Sequence, residues 1–109
     1  MTDGENSAEA AGGGVGSRLS REIVRHLKNL NVEVFVFEIS ENDVDLAVLT
    51  DDEVSPLFVI EMLSGTLLDL SIQEGRLVTC TPIKRSKYAR ADTAFVKNVI
   101  SGRTEYAEA

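Results

Sequence analysis

Asp43 and Asp45 are the residues of this chain whose type and spacing could do chemistry. They lie in the run Asp43-Val44-Asp45-Leu46-Ala47-Val48-Leu49, which reads as a strand. Side chains alternate faces along a strand, so both carboxylates point the same way. Like charges on one face repel unless something neutralises them. A divalent cation with oxygen ligands does so, and Mg²⁺ commonly uses one or two carboxylates together with substrate phosphates. Two solvated acids at an exposed sheet end fit the same spacing. No Ser-His-Asp, Cys-His, phosphate-loop or zinc pattern accompanies them.

The elements that must position this pair follow from periodicity. Leu19, Ile23, Leu27 and Leu30 recur at helical spacing, with Arg18, Arg21, Arg25 and Lys28 mostly on other faces. Ser17 or Ser20 can cap that helix. His26 beside the stripe reads as a helix-surface histidine, because no His or Cys partner stands at metal spacing. Val32 to Phe37 is almost wholly β-branched or aromatic and predicts a strand. A short polar connection joins it to Val44–Leu49, which predicts an antiparallel hairpin. Ser55 as N-cap and Pro56 at the first position open a helix that runs to Glu74 and stops at Gly75. Ser64-Gly65-Thr66 weakens its middle. Leu77 to Ile83 predicts a third strand, and Pro82 puts its end at a sheet edge. A last helix is expected over Ala94 to Ile100, capped by Asp92 or Thr93 and stopped by Gly102. The order α-β-β-α-β-α predicts an α/β (α+β) fold, a small mixed sheet with helices on one face.

At 109 residues the chain is one domain at most. Residues 1–17 are rich in Gly, Ala and acids and are expected to form a disordered tail, leaving residues 18–109 as the domain. A core that small can be completed by a partner protein or a second copy. No run of 18 apolar residues is present, so no membrane span is expected, and the acidic start is not that of a signal peptide. The single cysteine, Cys80, excludes an internal disulfide and suits a cytoplasmic protein. It reads as core filler. Residues 1–75 hold fifteen acids and four bases, whereas residues 76–109 hold three acids and seven bases. The net acidity argues against nonspecific nucleic-acid binding. The basic cluster Lys84, Arg85, Lys87 and Arg90 reads as a solvated loop, or as a contact for phosphate, RNA or an acidic partner.

Three segments together resemble the minimal nucleotidyltransferase domains of the DNA polymerase β superfamily, the MNT type that partners HEPN toxins. They are Asp43 to Leu49, Asp69 to Val78, and Thr93 to Ile100 with its Phe95-Val96-Lys97-Asn98-Val99. The resemblance spans roughly residues 32–104. It implies a minimal nucleotidyltransferase fold and Mg²⁺-dependent transfer of AMP from ATP to a protein partner, a HEPN-type toxin. It implies Asp43 and Asp45 as metal-binding and catalytic residues. Ser40 would stand in for the serine that contacts the nucleotide, and Glu61 is conceivable as the third acid. The family's Gly-Ser pair is missing from the turn between the first two strands, where Glu38 and Glu41 would repel phosphates. The third strand carries Thr79, Cys80 and Thr81 and no acid. The resemblance therefore implies a reduced active site or, alternatively, a non-catalytic binding module on the same frame.

Overall fold

The β-branched run ahead of the acids pairs with the acid-bearing run itself. In the computed structural model, which describes residues 13–106, β1 (Val32–Ile39) and β2 (Asp43–Thr50) form the expected antiparallel hairpin. Val32 lies opposite Thr50, and Ile39 opposite Val44. The register shifts between Val36 and Glu38, so Phe37 is the extra residue of a β-bulge. β3 (Leu77–Lys84) runs parallel to β2, from Asp43 beside Leu77 to Thr50 beside Lys84. The sheet order is β1-β2-β3, so β3 is an edge strand, where Pro82 costs no ladder bond on the open side.

A parallel pair needs a crossover, and α2 (Pro56–Glu74) supplies it. Its ends are built as the sequence predicts. The Ser55 hydroxyl accepts from the Phe58 N–H, Pro56 sits in the first turn, and Gly75 caps the other end at a left-handed φ of 70°. α1 (Gly13–His26) packs beside α2. Val44, Leu46 and Val48 of β2 meet Leu19, Ile23 and Leu27 of α1 and Val59, Leu63 and Leu70 of α2 in one core. Ala47 and Leu49 face the other way. They join Phe35, Ile83 and Val96 and Val99 of α4 (Ala94–Tyr106) in a second core.

The mixed α/β fold with a small sheet is as the sequence predicts, but four details differ. The helices were expected on one face and cover both. β2 explains this, because a strand apolar on both sides needs cover on both. A short helix, α3 (Arg85–Arg90), stands between β3 and α4, so the order among the described residues is α-β-β-α-β-α-α. The basic cluster expected on a loop thus lies on the end of β3 and on α3. Asp52 holds it there, its carboxylate accepting from the Ser86 N–H and its carbonyl from Lys84 Nζ.

The last helix does not stop at Gly102. A Cβ there would come within 1.9 Å of the Phe37 carbonyl oxygen, so this glycine marks a close approach of helix to strand. Its N-cap is Thr93, whose hydroxyl accepts from the Val96 N–H. Finally, α1 begins at Gly13, which makes residues 13–17 helical rather than part of a tail. Gly16 approaches Val36 so closely that a Cβ would lie 3.0 Å from its Cγ2. The rest of the expected tail, residues 1–12, lies outside the described residues. α1 ends at His26, and Leu27 and Leu30 reach the core from the turns that follow.

Candidate functional site

Asp43 and Asp45 continue the face of β2 that carries Ala47 and Leu49. Both are half-buried, where Ala47 and Leu49 are sealed. The cause is the position of the helices. α4 lies along β1, and α3 sits at the far end of the face, where Tyr88 meets Phe35 at 5.8 Å. The near end is left as an open polar shelf.

Three strands furnish the shelf. Across the parallel pair, Thr79 stands beside Asp45, and its hydroxyl donates to Asp45 Oδ1 at 2.6 Å. Across the hairpin, Glu38 stands opposite Asp45, because the bulge at Phe37 re-phases the end of β1. Leu77 lies beside Asp43 and is exposed. Glu38, Asp43 and Asp45 therefore share one face, since cross-strand partners point the same way. A groove of about 430 Å³ opens from Glu38 between β1 and α4, lined by Phe37, Phe95, Asn98 and Tyr106.

Ser40 lies in the turn between β1 and β2. Its hydroxyl accepts from the N–H groups of Asn42 and Asp43, at 3.3 and 3.1 Å. Its own N–H donates to the Asp43 carbonyl at 2.8 Å. Its carbonyl accepts from an Arg76 guanidinium nitrogen at 3.0 Å. The Asn42 carbonyl accepts from the Leu77 N–H, which ties the turn to β3. Backbone amides in a turn are the groups that cradle phosphate. Here those of residues 40, 42 and 43 close on the turn itself.

The other candidate residues separate from the shelf. Glu61 is exposed on α2, a helix on the opposite face of the sheet, and so is no third acid for Asp43 and Asp45. The basic cluster is largely spent inside the molecule. Arg85 approaches Asp51 at 3.4 Å, Lys84 donates to the Asp52 carbonyl, and Arg90 pairs with Asp92 at 2.9 Å. The Ser86 hydroxyl and then its N–H hold the Asp52 carboxyl below the usual range. Arg90 does the same for Asp92. His26 is bonded within its own helix, its Nδ1 3.0 Å from the Glu22 carbonyl. Cys80 packs against the first core as expected, and burial pushes its thiol up to about 12, so it stays protonated.

Two members of the shelf escape a sequence reading. Thr79 was visible only as a missing acid, and its bond to Asp45 depends on the parallel register. Arg76, the base that holds the turn, follows a helix stop and carries no local signal. Among the described residues, no group of three His, Cys, Asp or Glu side chains is placed to hold a metal ion. Thr79 already donates to one oxygen of Asp45, and the amides of residues 40, 42 and 43 are engaged within the turn, so those amides are not turned toward a phosphate. In comparisons with known proteins, no family model matches this chain, and neither a curated protein nor a solved structure matches it.

Proposed function

We propose that this chain is a non-catalytic binding or regulatory module on a nucleotidyltransferase-like frame, acting by surface contact with a protein partner. The turn at residues 40–43 carries the reading. A triphosphate needs free backbone amides and neutralising charge. This turn spends the amides of residues 40, 42 and 43 on Ser40 and Asp43 and stands between Glu38 and the Asp43–Asp45 pair. The resemblance of the Asp43-Val44-Asp45 and Phe95-to-Val99 segments makes a HEPN-type toxin the partner to try first. The single cysteine, a partly buried free thiol, suits a reducing compartment such as the cytoplasm.

A second reading is transfer of AMP from ATP to that partner, with Asp43 and Asp45 holding Mg²⁺. The observation in its favour is three carboxylates, Glu38, Asp43 and Asp45, on one open face. Labelled ATP and Mg²⁺ offered to the chain with a HEPN-type partner separate the two. The expected result is a complex without transferred label. Transfer that Asp43→Asn abolishes would establish the enzyme and overturn the binding module.

A further inference from the structure

α2 turns to solvent an apolar face that the fold does not use. Leu57, Leu68 and Ile72 are 61%, 62% and 71% exposed, and Phe58, Ile60 and Met62 are exposed as well. Val59, Leu63 and Leu70 take the opposite side into the core. At 3.6 residues per turn, Leu57, Glu61, Leu68 and Ile72 form one stripe on the outward side. Ser64 and Gly65 flank its midpoint, and a Cβ built on Gly65 would meet nothing within 4 Å. Small side chains at a crossing point let a second helix come close.

Charge selects the occupant. Glu61 stands in the middle of the stripe, and Asp69 at its rim. Between Lys28 and Arg76 the chain has eleven acids and no base. A second copy docked α2 to α2 would bury each Glu61 with no base on either helix to meet it, and a buried unpaired charge is costly. α1 of a second copy and the turn after it offer Arg21, Arg25 and Lys28. Of the described residues of α1, however, only Val24 is an exposed large apolar one, too little to cover the stripe. By length and composition α2 could cross a membrane, but a bilayer would also take in Glu61 unpaired.

We propose that the outward face of α2 is the docking site for an amphipathic helix of a partner protein, with a Leu or Ile stripe and a Lys or Arg at its centre to meet Glu61. The proposal rests on the reading of the chain as a module that works by surface contact. Helix-on-helix contacts of this kind are anchored at i, i+4 and i+7 spacings, as the stripe is. The central ion pair sets register and partner choice.

The test uses a synthetic amphipathic helix of about five turns, with a Leu stripe and a central Lys. Its binding to the full chain is followed by fluorescence anisotropy. A central Glu in place of Lys is expected to weaken binding about tenfold or more. Glu61→Lys should reverse that preference. Leu68→Asp, at an exposed position where the melting temperature should stay within a few degrees, should abolish binding of both peptides. Equal binding of the two peptides, or binding indifferent to Leu68→Asp, overturns the proposal. So does a dimer in sedimentation that Leu68→Asp returns to monomer, which would assign the face to a second copy. Cosedimentation with phosphatidylcholine vesicles lost in Leu68→Asp would assign it to a membrane and overturns the proposal equally. A HEPN-type complex that Leu68→Asp leaves intact refutes this site and spares the surface-contact reading. Label transfer from ATP refutes that reading through Asp43 without involving α2.

Discussion

The two faces of the sheet are closed to different depths, and one strand records both. On the α1–α2 face, Val44, Leu46 and Val48 of β2 are fully buried. On the α4 face, Ala47 and Leu49 are buried, but Asp45 and Asp43 are only half-buried. The first face is sealed along the whole strand, and its inward positions are apolar except for the buried Thr50 at the end. The second is sealed only where α4 and α3 reach, and there polar bonds share the work. Arg103 of α4 lies 4.1 Å over the Phe35 ring and pairs with Glu33. The acids begin where cover ends. The half-buried state of the acid pair is thus an edge effect of helix placement.

The contrast breaks most visibly in the sealed face. Leu46→Ala removes a fully buried side chain between α1, α2 and the sheet. It should cost about 2–5 kcal/mol in denaturant unfolding. A loss under about 1 kcal/mol would mean that the first face is loosely filled and the asymmetry small. Gly102→Ala attacks the second face at one point. The new Cβ would strike the Phe37 carbonyl oxygen and must push α4 off β1. About 1–3 kcal/mol is expected. Amide exchange should quicken in α4 and β1 while α2 keeps its protection. Uniform quickening would show that the two faces unfold as one.

What the sequence disclosed follows the same division. α2 was legible to its caps, because Ser55, Pro56 and Gly75 act through local backbone geometry. The hairpin was legible because β-branched runs and alternation are local too. That Asp43 and Asp45 share a face came from the two-residue period alone. Gly102 was misread because a glycine that ends a helix and one that lets a strand approach look identical in sequence. The bulge at Phe37 leaves no compositional trace, yet it sets Glu38 opposite Asp45. The bond from Thr79 depends on a parallel register fixed by the length of α2 and the packing beneath it. Local rules gave the elements and the acid pair. The neighbours that decide what the pair can do were set by tertiary structure.

A smaller effect should appear in acid. The Ser86 hydroxyl and N–H lower the pKa of Asp52 in the folded chain, and Arg90 lowers that of Asp92. A group whose folded pKa is depressed gives stability that is present above its unfolded value, about 3.9 for Asp, and lost as pH falls through the folded one. Asp52→Asn should therefore lower the neutral plateau slightly and flatten the acid limb below about pH 4, the two curves meeting in acid where Asp52 is itself protonated. Because Asp52 anchors α3 beside the second core, exchange in α3 should respond first. An acid limb identical to that of the parent chain would detach Asp52 from the docking of α3.

The smallest change tests the shelf itself. Thr79→Val keeps the shape and deletes the hydroxyl that donates to Asp45 Oδ1. A hydrogen bond to a partly exposed carboxylate is worth about 1 kcal/mol net, so that is the expected loss. Asp45→Asn keeps an oxygen for Thr79 and removes one of three like charges on the face. It should leave stability within about 0.5 kcal/mol of the parent, on the stable side if repulsion outweighs the weaker bond. In the double variant the Thr79 loss should shrink, and the difference measures their coupling. Magnesium then sharpens the comparison of shelf and core. Thr79 competes with any cation for the same carboxylate oxygen, so Thr79→Val should gain more in melting temperature from added Mg²⁺ than the parent chain does. Equal gains in both would mean that Thr79 does not occupy the oxygen a cation needs. The closed turn at Ser40 would then be left as the sole barrier to a phosphate-bearing ligand.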